Sequence, residues 1–143
     1  MSWYLDTNIC INCLRGTTPL VKQVLLGLEP SRIKVPAMAK AELLLGAAKS
    51  NKPRQNQELV ELFLSPFEIV PFDDKAAMFY GQIRSKLEKE GQIIGFNDLI
   101  IASTVMAHEG ILVTDNLREF GRVSGLKLEN WTEVDWIEVS WKK

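Results

Sequence analysis

The chain has 143 residues, 46% of them apolar and 24% charged, which suits one domain able to bury a core without disulfides or a structural metal. No stretch approaches the roughly 20 apolar residues a bilayer-spanning helix needs, and Met1-Ser2-Trp3-Tyr4-Leu5-Asp6 lacks the basic region of a signal peptide, so a cytoplasmic protein with no membrane contact is expected. A net charge of -1 and a pI near 5.9 count against broad, nonspecific coating of nucleic acid, although metal ions held by acidic residues can reverse charge locally.

Trp3-Tyr4-Leu5 is a short apolar run ending at Asp6 and reads as a first strand. Thr7 or Asn8 can cap a short helix over Ile9 to Leu14, closed by Arg15-Gly16. Cys10 and Cys13 form a Cys-x-x-Cys pair, a spacing found in redox dithiols and half-sites for zinc; here it reads as two partly buried thiols on one helix. Leu20, Val21, Val24, Leu25 and Leu28 recur at helical spacing. Ile33-Lys34-Val35 before Pro36 reads as a strand, and Ala37 through Lys49 is rich in good helix formers.

Pro53 opens another helix, with Leu59, Leu62 and Phe63 on its apolar face. Phe67 to Pro71 is a short strand, and Asp73 caps a long helix that ends at Gly91. Asn97 or Phe96 begins a helix running from Asp98 to His108 and closed by Gly110. Ile111-Leu112-Val113 and Leu126-Lys127-Leu128 complete the strands. Short apolar strands alternating with helices predict an α/β fold, a mainly parallel central sheet with helices on both sides.

Asp6 and Asp115 each follow a strand, and parallel sheets bind ligands beyond the carboxyl ends of their strands, so two such acids can share one cleft. Alternatively, each simply caps the helix after its strand. Glu42 and Asp98 interrupt nearly apolar runs, where an unpaired charge is costly to bury. Lys40 or Lys49 for Glu42, and backbone N–H groups for Asp98, are the ordinary partners. Four carboxylates gathered in one place repel one another unless a hard cation neutralises them. Such a centre activates water against a phosphodiester with no need of a histidine or serine nucleophile, which fits a chain with a single His.

The motifs in order resemble a known family. Leu5-Asp6-Thr7-Asn8-Ile9, Ala41-Glu42-Leu43-Leu44-Leu45-Gly46-Ala47, Ile94-Gly95-Phe96-Asn97-Asp98-Leu99-Ile100-Ile101-Ala102 and Val113-Thr114-Asp115-Asn116-Leu117-Arg118-Glu119-Phe120 look like those of PIN-domain ribonucleases, specifically VapC-type toxins of bacterial toxin–antitoxin pairs. The likeness extends over residues 3–131, with Leu126 to Trp131 as its last segment. It implies a single PIN-like domain over 1–131. It also implies Asp6 and Asp98 as magnesium ligands, with manganese as the other candidate ion, and Glu42 as a third acid. Asp115 is implied as a fourth acid at a position where many relatives carry Asn. Thr7, Asn8, Thr114 and Asn116 are expected to support the site.

The implied reaction is hydrolysis of an RNA substrate, a tRNA or ribosomal RNA loop, to stop translation. The implied partners are a second copy of the chain, as a homodimer, and a VapB-type antitoxin whose C-terminal segment crosses the groove and whose own N-terminal domain binds operator DNA. Arg84 and Arg118 are candidates for contacts with RNA phosphates or with the antitoxin. Residues 132–143 fall outside the likeness; Ile137, Val139 and Trp141 alternate with Glu138 and Ser140, and the segment is expected to pack on the domain.

Two other readings compete. A dehalogenase-type phosphatase also places an acid after its first strand but needs a second Asp two residues on, where this chain has Asn8. A catalytically weak domain that binds RNA, or serves as a repressor subunit with its antitoxin, is the non-enzymatic alternative; the presence of all four acids argues for catalysis.

Overall fold

A computed structural model describes residues 1–133. The strands are β1 (Trp3–Leu5), β2 (Ile33–Pro36), β3 (Glu68–Val70), β4 (Ile111–Val113) and β5 (Lys127–Glu129). They form one sheet in the order β3-β2-β1-β4-β5, and every neighbouring pair is parallel. The helices are α1 (Thr7–Arg15), α2 (Pro19–Leu26), α3 (Ala37–Ala48), α4 (Pro53–Leu64), α5 (Asp74–Lys89), α6 (Phe96–Ala107) and α7 (Leu117–Phe120). A 3-10 turn, Pro30–Arg32, leads into β2.

The α/β architecture expected from the alternation of elements is the one observed. The first three strands run outward from the centre of the sheet, and the chain then crosses back to lay β4 on the other side of β1. The strand order therefore reverses between β1 and β4, which opens a crevice at their carboxyl ends. Register there is tight: Leu5 pairs with Val113, and the Asp6 amide donates to the Val113 carbonyl at 3.1 Å, carrying the ladder one residue past β1.

Leu5, Ile33, Val35, Leu112 and Val113 are fully buried, as a sheet covered on both faces requires. Helix α6 is apolar nearly all round and buries Leu99, Ile101, Ala102 and Val105. Its polar Ser103 and Thr104 are silenced by bonding back to the carbonyls of Leu99 and Ile100. Gly110 lies against the Tyr4 ring so closely that any side chain there would strike it. Gly16 closes α1 in the left-handed conformation (φ 66°) that glycine adopts without penalty.

Some boundaries differ from expectation for identifiable reasons. Helix α1 starts at Thr7 rather than Ile9, because Asp6 itself is its N-cap; Thr7 and Asn8 are helical residues, not caps. The turn α7 was not expected at all, since four residues are too few to show a helical period. Helix α5 stops at Lys89 and α6 begins at Phe96, each within two residues of the expected bounds. Residues 134–143, with the expected alternation of Ile137, Val139 and Trp141, lie outside the described residues.

Candidate active site

Asp6 sits where β1 ends and α1 begins, and only 4% of it is exposed. Its Oδ1 accepts from the Ile9 amide at 2.9 Å, so the residue is a helix cap and a buried acid at once. The Thr114 hydroxyl also donates to it from the end of β4. Burial is the main influence on this carboxyl and pushes its pKa up to about 7; the two hydrogen bonds pull the other way, and the charges of Asp115 and Asp98 add to the rise.

Asp98 lies in the first turn of α6, where the helix dipole favours an anion. Its pKa is pushed up to about 6, first by burial, then by a hydrogen bond to the Glu119 carboxyl and by the charges of Glu119 and Glu42. Glu42, half-buried on α3, accepts from the Thr7 hydroxyl at 2.7 Å. Neither expected lysine holds it: the nearer of the two, Lys40, faces Glu61 at 3.9 Å instead. Asp115 is exposed at the mouth, near enough for its charge to raise Asp6.

Glu119 is the acid that sequence reasoning missed. It lies on the single turn α7, close enough to Asp98 to raise its pKa, and is held by Asn116 Nδ2, which donates to its Oε2 at 2.9 Å. The Asn116-x-x-Glu119 spacing was the available signal, because residues three apart meet on a helical turn. Thr114 is fully buried and its Oγ1 accepts from the Asn116 amide at 2.9 Å. Thr7 and Asn116 thus donate to acids, Glu42 and Glu119, and Thr114 braces the turn that carries Asn116, whereas Asn8 is exposed and makes no side-chain hydrogen bond among the described residues.

Arg84 is engaged with Glu88 and Tyr80 on α5, at 2.7 and 3.0 Å. Arg118 is exposed on α7, beside Glu119. His108 stacks on Tyr4 and faces Asp73 rather than the acids. An apolar groove of about 300 Å³ between α1, α3 and α4, lined by Ile11, Leu14, Leu43, Leu59 and Val60, runs up to Glu42.

Among the described residues, no ion pair reaches Asp6, Glu42, Asp98, Asp115 or Glu119. Among the described residues, no three Asp, Glu, His or Cys side chains stand close enough together to hold a metal ion as they lie, so an ion here would rest on one or two carboxylates. An all-oxygen, net-negative donor set lacking cationic partners fits magnesium, which takes one or two carboxylates and keeps part of its water shell.

A family model described as PIN domain matches residues 3–126. The chain belongs to the PIN-domain family. Ribonuclease VapC2 of Rickettsia felis is 41% identical over 132 residues, covering 92% of this chain and 98% of the relative. The tRNA(fMet)-specific endonuclease VapC of Salmonella typhimurium is 35% identical over 131 residues, again 92% of this chain and 98% of the relative. In the crystal structure of VapBC2 from Rickettsia felis bound to a DNA fragment from their promoter, one chain matches with a TM-score of 0.86 and 41% identity, covering 92% of this chain and 99% of that one. This PIN domain is thus an endoribonuclease of the VapC group.

Proposed function

We propose that this PIN domain is the toxin of a toxin–antitoxin pair, an endoribonuclease that requires magnesium or manganese and cuts a tRNA. The observation that carries the metal requirement is the Asp6 carboxylate: nearly fully buried at the switch in strand order, surrounded by further acids, and met by no cationic side chain among the described residues. A relative named a tRNA(fMet)-specific endonuclease, 35% identical, makes the initiator tRNA the first substrate to try.

Asp6 and Asp98 would hold the ion, with Glu42 and Asp115 contributing charge from either side. When bound, a divalent ion supplies an activated water and stabilises charge building on the phosphate. The chain's residues supply the geometry. Ile9 N–H and the Thr114 hydroxyl fix the Asp6 carboxylate, and the Thr7 hydroxyl fixes Glu42. Glu119 adds negative charge beside Asp98 that a cation would neutralise, and metal and proton would compete for the same oxygens. Arg84 and Arg118 would position phosphates.

The groove that ends at Glu42 suits the C-terminal segment of a VapB-type antitoxin, and a homodimer in the cytoplasm belongs to the same reading. Residues 1–131 would form the whole catalytic unit, and operator DNA would be reached through the antitoxin. The test is incubation of purified protein with total tRNA. Cleavage should need magnesium, stop in EDTA, and vanish in Asp6→Asn, together with the growth arrest caused by expression. Cleavage that persists in EDTA or in Asp6→Asn defeats the metal-nuclease reading.

A further inference from the structure

Phe96 opens α6 two residues before Asp98, yet 57% of it is exposed. The Arg84 guanidinium lies over its ring, 4.7 Å from the centroid. That guanidinium is not a loose surface cation: Nε donates to Glu88 at 2.7 Å and Nη1 to the Tyr80 hydroxyl at 3.0 Å. Phe72, itself 40% exposed, stands edge-on to Tyr80 at 6.0 Å and buttresses it from the far side. A second guanidinium, that of Arg122, is tied to the same lip by donating to the Ile93 carbonyl at 2.9 Å. Gly95 completes the lip; a methyl group there would lie 3.8 Å from Asp98 Oδ2, so the backbone that leads into Phe96 runs directly beside the acid.

The geometry points to a nucleobase subsite: one unpaired base of the RNA stacks on Phe96, backed by Arg84, and so sets the adjoining phosphodiester against Asp98. This rests on the endoribonuclease reading and deepens it. A base offers its π face to an aromatic ring and to a guanidinium alike. Every phosphodiester presented to Asp98 brings bases with it, and Arg122, which makes no ion pair among the described residues, matches the charge of the strand. Stacking reads no hydrogen-bond pattern, so this subsite contributes affinity and register more than sequence choice.

The experiment compares Phe96→Ala and Phe96→Trp with the parent protein. Cleavage of a mixed-sequence, single-stranded oligoribonucleotide pool is followed with magnesium, and binding of the fluorescein-labelled pool is followed by anisotropy in the Asp6→Asn background. Phe96→Ala should raise KM and weaken binding by about tenfold or more, with kcat changed far less, and Phe96→Trp should restore both. Circular dichroism melting should be unchanged by either substitution, since the side chain faces solvent. Unchanged KM and affinity in Phe96→Ala overturn the proposal. So does loss of self-association in gel filtration with RNA affinity intact, which assigns the surface to a protein contact. Failure of the parent protein to cleave any RNA is a separate result, and strikes the nuclease reading instead.

Discussion

Asp98 and Glu119 lie beside each other although they belong to different helices, α6 and α7, and after burial Glu119 is the main cause of the rise in the Asp98 pKa. Carboxylates set side by side repel each other unless a proton or a cation relieves them, and Asn116 Nδ2 holds the Glu119 partner in place by donating to its Oε2 at 2.9 Å. Without a cation the site therefore carries uncompensated repulsion, and Asp98 holds its proton more tightly than a free carboxyl does.

Glu119→Gln removes one charge while keeping the shape. The metal-free protein should become more stable at neutral pH, because Asp98 loses its nearest like charge. The magnesium concentration for half-maximal cleavage should rise about tenfold, as when a group that orients a metal ligand is removed. Urea titration in EDTA and a magnesium titration of cleavage check the two parts. An unchanged magnesium requirement would place Glu119 outside the ion's surroundings.

The raised pKa values also set a pH dependence. Asp6 is pushed from 3.8 up to about 7, so within that window the folded chain binds more protons than the unfolded one. Stability of the metal-free protein should then fall as pH rises through the window, by an amount on the order of 4 kcal/mol for Asp6. Saturating magnesium should flatten the slope by taking the place of the proton. Melting temperatures measured across this range in EDTA and in magnesium test this; a metal-free protein that gains stability with rising pH contradicts it.

Asp6 caps α1 as well as facing the crevice, and two substitutions separate those roles. Asp6→Asn keeps an acceptor for the Ile9 amide, so the fold should hold while RNA cleavage is abolished. Asp6→Ala loses the cap too and should be less stable than Asp6→Asn by about 1 kcal/mol. Equal stability of the two variants in urea would mean that the cap contributes nothing.

Glu129 Oε1 accepts from two indoles, Trp3 Nε1 at 3.1 Å and Trp131 Nε1 at 3.0 Å, and so fastens β1 to the segment after β5. Glu129→Ala leaves two part-buried donors without an acceptor and should cost about 2–4 kcal/mol. Glu129→Gln keeps the carbonyl oxygen and should cost less. Denaturant midpoints give the comparison; near-equal losses would show that charge, not the acceptor, matters.

The sheet and the first acids were legible because their signals are local. Ile111–Val113 is an apolar run with abrupt ends, and Asp73 caps α5 by accepting from the Ala76 amide at 2.9 Å, as its position before a helical pattern implies. Asp6 and Asp98 stood out because a charge in apolar surroundings demands an explanation. The partner of Glu42 was illegible, since Thr7 is distant in the chain and only packing of α1 on α3 joins them. Glu119 was hidden for another reason: beside Arg118, in a stretch too short for periodicity, it reads as an ordinary surface charge.

The placement of β1 between β2 and β4 has a consequence for biosynthesis. Residues 3–5 are made long before one of their two strand partners, residues 111–113. Such long-range closure is slow and cannot begin until most of the chain is available. Asp6 therefore meets Thr114, Asp115 and Asp98 only once residues 98–115 have been made. A nascent or truncated chain that stops short of β4 lacks the assembled site, and that interval is open to whatever restrains the finished molecule.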